Sequence, residues 1–325
     1  MFYDPVLAWA PRRLFSESDR YIVFNPTHIV IFEIRDDGYH GHMGITVVSV
    51  KEKKRSTHIF HTLFPLGSYE MPPGSQSGAI RFRKKKTALD FVPMESGARI
   101  IKTDVPRFGH NRSMRGELVL TGSAPFESLV TNLPLRGQRS AFRYSRCSPW
   151  YTAEGVIQFG TVEIIFTKGN AWGIFDWNRG IRPRADIRYW AAACGMNQGR
   201  LVGFSVGYGS VDSDVATENA FFTDGRIHKL DQVTFHIPLS NAPSADGSPS
   251  RDGALSPWRF TSNDNRLEMI FVPQQERIDR RQVLVHSVTR RQVCGSFSGK
   301  VILDDGSALD FDNITGFAER SKTRF

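Results

Sequence analysis

The segment from Asn170 to Trp190, NAWGIFDWNRGIRPRADIRYW, holds the residue types in this chain that could do chemistry on a small molecule. Between its ends lie Asp176 and Arg179, which are costly to bury unless they pair or meet a ligand. Aromatic walls with a few polar groups are what a ligand pocket needs. The tryptophans that would supply such walls are Trp172, Trp177 and Trp190.

Asp176 is the first candidate acid. It precedes Trp177 on a strand-like run, so we expect the two side chains to face opposite sides of a sheet. If Asp176 faces an apolar cavity, desolvation raises its pKa and makes it a proton donor. A salt bridge to Arg179 would instead lower that pKa and make the pair a structural staple. The sequence leaves catalysis and stapling open.

Glu218 and His228 are the other candidate catalytic residues. Glu218 comes just before a strand and either lines the same site or makes a hydrogen bond in a turn. His228 is either a base or charge switch, or a satisfied structural histidine. The candidate ligand contacts are the three tryptophans together with Arg179, Tyr189, Asn219, Trp258 and Glu276. The alternative for them is packing or a charged hairpin edge.

Alternation of apolar and polar residues with a period of two runs through most of the chain and predicts antiparallel strands. Asp37-Gly38, Asp224-Gly225 and Asp305-Gly306 lie between such runs, where Asp-Gly supplies the positive φ angles of tight hairpins. Arg259 to Val272, with Asn263-Asp264-Asn265 at its middle, indicates another hairpin. No long amphipathic helix competes, so the predicted class is all-β, with antiparallel strands closing into barrels or sandwiches.

A chain of 325 residues suits two domains better than one. We predict a boundary near Ala153-Glu154-Gly155, where an aromatic and arginine-rich stretch gives way to a fresh strand, so that the domains are residues 1–154 and 155–325. The segment from Asn241 to Pro257 is rich in Ser, Pro, Gly and Asp. It is too long and polar for a tight turn, and we expect it to be either disordered or a lid.

No complete motif for nucleotide, metal or nucleophile chemistry is present: there is no GxxxxGK(S/T), HExxH or paired CxxC. Gly203-Phe204-Ser205-Val206-Gly207 has the letters of GxSxG but lacks the strand-loop-helix context that this motif needs. We therefore predict no cofactor and no metal site. The net charge is +9, and basic runs lie at 51–55 and 81–86. Nucleic-acid modules interleave such charge with exposed aromatics in a set pattern, and these runs show no such pattern. We therefore expect them to be solvated faces and expect no nucleic-acid partner. Without a leader pattern or an apolar run of about 20 residues, we expect a cytoplasmic protein with no membrane span.

Ordered motifs along the second half carry a resemblance to a known family. They are Phe175-Asp176-Trp177-Asn178-Arg179-Gly180, the run from Thr217 to Leu230, Ser256-Pro257-Trp258-Arg259, Gln275-Glu276-Arg277, the run from Gln292 to Gly299, and Gly316-Phe317-Ala318-Glu319. In this order they resemble the bacterial family called domain of unknown function 2804, which is distantly similar to AttH-like and carotenoid 1,2-hydratase proteins. The resemblance implies two lipocalin-like β domains with a pocket in or between them, and it assigns no reaction.

Two classes of function are expected. The first is a cofactor-independent enzyme of hydratase, isomerase, lyase or cyclase type, which acts on an apolar or amphipathic small molecule by acid catalysis in a Trp-lined pocket. The second is a non-catalytic binder of a lipid-like or polyketide-like molecule. The feature that distinguishes the two classes is whether Asp176 or Glu218 faces the cavity without a bonded arginine, which the enzyme requires and the binder does not. We also expect Trp177 and Trp190 to wall one cavity near the domain junction, with most of the polar lining in the second half.

Overall fold

The computed structural model describes residues 15–109, 112–122, 127–136, 138–181, 183, 185–209, 211–238, 255–283 and 286–324. Within these ranges the chain forms antiparallel strands joined by turns and contains no α-helix, which confirms the all-β class. No helix in the described part is long and apolar enough to cross a membrane. Of the segment from Asn241 to Pro257, residues 241–254 lie outside the described ranges, so the expectation for it stays a prediction.

The strands form two antiparallel sheets. The first sheet contains β1 Phe15–Phe24, β2 His28–Asp36, β3 His40–Ser49, β4 Lys54–Leu63, β5 Ile80–Lys84, β6 Thr87–Pro93, β7 Arg99–Phe108, β8 Arg112–Thr121, β9 Leu129–Leu135, β10 Gln138–Phe159, β11 Val162–Phe166 and β12 Trp172–Ile181. The second contains β13 Ala185–Asn197, β14 Arg200–Tyr208, β15 Ala220–Thr223, β16 Arg226–Lys229, β17 Val233–His236, β18 Trp258–Ser262, β19 Leu267–Val283, β20 His286–Ile302 and β21 Ala308–Arg324.

The chain divides into two compact units. The first is formed by Met1–Asn132 and Phe142–Arg182, and the second by Leu133–Ala141 and Pro183–Phe325. The predicted boundary after residue 154 falls inside β10, and β12 belongs to the first unit. The physical reason is strand pairing, because β12 lies between β1 and β10 in the order β4-β3-β2-β1-β12-β10-β8-β7-β6-β5.

The first sheet curls into a half-barrel whose two ends approach each other. The ring of Phe60 on β4 lies 6.1 Å from that of Phe82 on β5, although these strands are at opposite ends of the sheet. The ring of Tyr21 on β1 meets Phe91 on β6 at 4.7 Å. These contacts define a concave inner face, and alternate residues of each strand point into it.

The second sheet, in the order β16-β15-β14-β13-β21-β20-β19-β18-β17, also curls. Phe204 on β14 contacts Phe297 on β20 at 4.9 Å across two intervening strands. Phe271 and Phe260 pack on the same ring of Phe297, at 4.3 and 5.7 Å. The interior of this unit is therefore a continuous apolar core built from aromatic and aliphatic side chains.

The predicted hairpins are present where the sequence places them. Asp224 and Gly225, between β15 and β16, both have positive φ angles, 52° and 79°, as a two-residue hairpin turn requires. Asn265 adopts a φ of 57° between β18 and β19.

The close approach of β12 to β10 generates the first prediction. A Cβ atom added to Gly180 would lie 2.1 Å from the carbonyl oxygen of Phe142, whereas one added to Gly74 would meet nothing within 4 Å. We expect Gly180→Ala to lower the free energy of unfolding by about 2 kcal/mol or more, because the backbones must separate. Gly74→Ala, the matched control, should change it by less than about 0.5 kcal/mol. Urea unfolding followed by tryptophan fluorescence measures both; equal effects would contradict the register.

Candidate functional site

The pairing of β1 with β12 separates the two central residues of the DWNRG motif. Trp177 lies opposite Asp19, and Asp176 lies opposite Arg20. Since cross-strand partners share a face, Asp176 and Trp177 point to opposite sides of the sheet, as the sequence predicts. Trp177 points to the concave face, because its side also carries Tyr21.

Asp176 lies on the convex face and is bonded to an arginine. Its Oδ2 is 3.0 Å from Nη2 of Arg20, and its Oδ1 accepts a hydrogen bond from Asn178 at 2.9 Å. Both charged side chains are buried, at 4% and 5% exposure. The expected alternative of a bridge to Arg179 is wrong, because residues three apart on a strand point to opposite faces.

Arg179 instead points into the concave interior, where it meets two other carboxylates. Its Nη1 is 2.9 Å from Oδ1 of Asp19, and its Nε is 3.6 Å from Oε1 of Glu17. The guanidinium also lies 4.6 Å from the centre of the Trp177 ring and donates to the carbonyl oxygens of Ser18, Asn178 and Pro72. This buried cation therefore lies among two carboxylates, three carbonyl oxygens and one aromatic ring.

Further polar side chains surround this pair in the interior of the half-barrel. Arg99 on β7 donates from Nε to the hydroxyl of Tyr151 at 3.0 Å and from Nη1 to the hydroxyl of Tyr21 at 3.3 Å. Its guanidinium lies 4.0 Å over the ring of Phe175. We call the whole set the interior cluster, and it comprises Glu17, Asp19, Tyr21, Arg99, Tyr144, Arg146, Tyr151, Phe175, Trp177 and Arg179.

Burial sets the electrostatics of the interior cluster. It raises the pKa of Asp19 above its ordinary value, against the lowering effects of Arg179 and Arg99. It also raises the pKa of Tyr21 and lowers that of Arg146. The indole Nε1 of Trp177 is buried and has no hydrogen-bond acceptor among the described residues. The cluster thus contains a carboxyl group whose pKa burial raises and an indole N–H without an acceptor among the described residues.

The loop between β4 and β5, residues 64–79, covers the interior cluster. The carbonyl oxygen of Pro72 accepts from Arg179 at 3.0 Å, and that of Ser75 accepts from Arg99 at 2.5 Å. The Ser75 hydroxyl accepts from Nη1 of Arg146 at 3.2 Å. The loop is therefore held over this part of the barrel by the arginines of the cluster.

In the second unit, Glu218 and Trp190 are each held by a neighbour. Oε2 of Glu218 is 3.3 Å from Nη2 of Arg188. Trp190 donates from Nε1 to the hydroxyl of Ser205 at 3.0 Å and packs its ring edge-on against Phe317. Like Asp176, Glu218 therefore has a bonded arginine.

Polar residues of the run from Thr217 to Leu230 hold this stretch of backbone together. Asn219 accepts from the amide of Gly207 at 2.6 Å and donates to the carbonyl of Asp231 at 2.7 Å. Lys229 donates to the carbonyls of Thr217 and Asn219, and desolvation lowers its pKa to about 8. Nδ1 of His228 accepts a hydrogen bond from the amide of Asp304 at 3.2 Å. This contact fits the structural histidine that the sequence analysis gave as one alternative.

The remaining predicted contacts are spread over both units. Trp258 lies in the apolar core of the second unit, and Tyr189 stacks on Tyr208 beside that core. Glu276 pairs with Arg291 across the β19–β20 ladder, and Trp172 is half-buried at the start of β12. Ligand contact by these residues, a shared cavity for Trp177 and Trp190, and catalytic roles for Glu218 and His228 stay predictions. In the described part of the chain, no group of three or more His, Cys, Asp or Glu could hold a metal ion.

Residues of β1 and β7 are the ones that sequence reasoning missed. Asp19 and Glu17 come from FSESDRYIVF, a strand buried along its length except at Ser16, and Arg99 comes from β7. Two carboxylates at positions i and i+2 of a strand that ends in the run Tyr21-Ile22-Val23-Phe24 are a usable signal, because they must share one face and find partners there.

A family model described as domain of unknown function 2804 matches residues 8–325, which confirms the resemblance and extends it over the first half of the chain. No match was found among curated protein sequences.

Solved structures of similar fold have low identity to this chain. CghA with Sch210972 is 12% identical with a TM-score of 0.56, covering 96% of this chain and 89% of that one. The AttH-type protein from Nitrosomonas europaea is 14% identical with a TM-score of 0.53, covering 94% and 91%. Kievitone hydratase from Nectria haematococca is 7% identical with a TM-score of 0.51, covering 100% and 93%. At these identities the likeness confirms the lipocalin-like fold.

Replacing the two aspartates of the β1–β12 ladder, Asp176 and Asp19, should have different effects on the free energy of unfolding. Asp176→Asn removes the carboxylate charge that lies 3.0 Å from the buried Arg20 and should cost about 3 kcal/mol of unfolding free energy. Asp19→Asn leaves Arg179 with Glu17 and three carbonyls, and it removes an ionised form that burial disfavours. It should therefore be neutral or stabilising at pH 7 when both variants are unfolded in urea.

The pH dependence provides the check on this contrast. Because the folded-state pKa of Asp19 is raised, its stabilising contribution is complete below 3.8 and is lost as pH rises through the raised value. The stability of Asp19→Asn relative to the wild type should thus increase as pH rises above 3.8. A cost at pH 7 equal to that of Asp176→Asn would contradict this assignment.

Proposed function

We propose, for a chain that belongs to the family described as domain of unknown function 2804, that the interior cluster binds an apolar or amphipathic small molecule and protonates it without a cofactor. One observation carries the proposal: Asp19 is a buried carboxyl group with a raised pKa, on the concave face beside an aromatic wall. A general acid needs a pKa close to the working pH, and burial moves a carboxyl group in that direction. The proton donor is therefore Asp19 rather than Asp176.

The reaction step is transfer of a proton from Asp19 to a carbon–carbon double bond. A C–H bond forms, the π bond breaks, and positive charge develops on the neighbouring carbon. The rings of Trp177 and Tyr144, which meet edge to face with their centres 5.0 Å apart, are suited to stabilise that charge by cation–π attraction. Arg179, at 2.9 Å, stabilises the carboxylate that Asp19 becomes and holds it in place.

The fate of the cation decides the reaction type. Addition of water followed by loss of a proton gives a hydratase, and loss of a different proton gives an isomerase. Attack by a second double bond forms a C–C bond and a new cation, and loss of a proton from that cation gives a cyclase. Regenerating the acid returns one proton to Asp19 in each case. A structure of similar fold named kievitone hydratase supports this general class of reaction for the proposal.

A non-catalytic binder is the second candidate. It is favoured by the fact that Asp176 and Glu218, the acids expected from the sequence, each have a bonded arginine, as Asp19 also does. Such a protein would use the aromatic walls and donors of the interior cluster without proton transfer.

Deuterium incorporation separates the two candidates whichever product the cation gives. In D₂O, wild-type protein incubated with a panel of trisubstituted alkenes and α,β-unsaturated ketones carrying apolar chains should place deuterium on carbon in at least one substrate, detected by NMR. Asp19→Asn should lower that rate by about 100-fold or more, because an amide cannot donate the proton. The wild-type rate should also fall as pH rises through the raised pKa of Asp19.

Glu163→Gln is the matched control, because Glu163 is an exposed carboxylate on β11 of the same unit. It should leave the rate unchanged. Incorporation at the wild-type rate by Asp19→Asn would eliminate Asp19 as the donor. Binding of panel members to the wild type with no incorporation would favour the non-catalytic binder.

A further inference from the structure

Two arginines of the interior cluster have no bonded carboxylate among the described residues. Arg99, 5% exposed, donates to two tyrosine hydroxyls and one carbonyl oxygen. Arg146, half-buried, donates to the hydroxyls of Ser75 and Ser128. Asp19 acts on Arg99 at longer range and is itself held by Arg179. Arg20 and Arg179, in contrast, each have a carboxylate within 3.0 Å.

The two guanidinium groups also lie close enough to repel each other. The charge of Arg99 contributes to lowering the pKa of Arg146, together with burial, which is the larger effect. Burying Arg146 beside a second cation is costly when neither has a bonded anion among the described residues, because the low dielectric strengthens their repulsion and hydration is lost. An anion between them would relieve both costs.

Ser75 occupies the position that such an anion would take. Its carbonyl oxygen accepts from Arg99 at 2.5 Å, and its hydroxyl accepts from Arg146 at 3.2 Å. These are neutral acceptors on the covering loop, and a charged acceptor would form stronger hydrogen bonds with the same donors. Earlier in that loop, three non-glycine residues have positive φ angles of 49°, a conformation that costs free energy, and they are Phe64, Leu66 and Glu70.

We propose that Arg99 and Arg146 bind the carboxylate of an amphipathic ligand, which replaces Ser75 between them, with the apolar part of the ligand against Phe175 and Trp177. The Nε1 of Trp177, which has no acceptor among the described residues, offers a further donor to an oxygen of the same ligand. This inference rests on the proposed function for the location of the ligand and adds its chemical class, an organic acid. The aromatic rings supply affinity, and the two arginines discriminate acids from neutral analogues.

The probes are phenylbutyrate and its uncharged analogue phenylbutanol, titrated separately into the full chain by isothermal calorimetry. The wild type should bind phenylbutyrate about tenfold or more tightly than phenylbutanol, since a charged bidentate partner adds strong hydrogen bonds. Arg146→Gln should remove most of that difference and leave phenylbutanol binding unchanged. Arg115→Gln, at an exposed arginine on β8, removes the same charge and should change neither affinity.

Ser75→Ala is the second variant, because it keeps both arginines and removes only the hydroxyl that competes with the ligand. It should bind phenylbutyrate as tightly as the wild type or more tightly. This result tests the competition between Ser75 and the ligand without depending on whether Arg146→Gln folds. Failure of the wild type to bind phenylbutyrate, or equal affinity for the two probes, overturns the proposal. An equal loss of phenylbutyrate binding in Arg115→Gln also overturns it, because the effect would then be long-range charge.

Asp19→Asn separates this proposal from the proton-transfer proposal. The substitution removes a nearby negative charge, so phenylbutyrate should bind no more weakly than to the wild type, while deuterium incorporation is lost. Loss of incorporation without acid selectivity in the wild type overturns the carboxylate site alone. Acid selectivity with undiminished incorporation in Asp19→Asn overturns the role of Asp19 alone.

Discussion

The pairing of β1 with β12 is the interaction on which the rest of the first unit depends. The ladder joins ten residue pairs and brings together segments about 156 positions apart in the chain, such as Arg20 and Asp176. It closes the sheet by placing β12 between β1 and β10. It also sorts the charges by face, because a shift of one residue would move every side chain of β12 to the other side.

Charge compensation then explains what each face can do. On the convex face the buried Arg20 and Asp176 form an ion pair with 3.0 Å between Nη2 and Oδ2. On the concave face Arg179 is shared by Asp19 and Glu17, whereas the bonded partners of Arg99 and Arg146 in the described part of the chain are neutral. The concave face therefore keeps unbalanced charge next to aromatic rings, which is the physical basis for assigning ligand chemistry to it.

Each of the two units contains its own curled antiparallel sheet, and the side chains that fill the interior differ between the units. The second unit is packed with aromatic and aliphatic side chains, so its interior serves the stability of the unit. Its polar motif from Thr217 to Leu230 is used for backbone hydrogen bonds, with Asn219 and Lys229 as the main donors and acceptors. A motif shared by a family can thus reflect a requirement of folding or a requirement of the reaction. Only the position of each side chain in the structure distinguishes the two.

The sequence by itself determined the all-β class, the Asp-Gly hairpins and the opposite orientation of Asp176 and Trp177, because strand alternation and turn geometry are local properties. It also carried the family resemblance that the match over residues 8–325 confirms. The partners of Asp176 and Arg179, and the grouping of Asp19 with Arg99, were decided only by tertiary structure. These contacts join strands far apart in the chain, and they depend on the register and curl of the sheet, which no local pattern encodes.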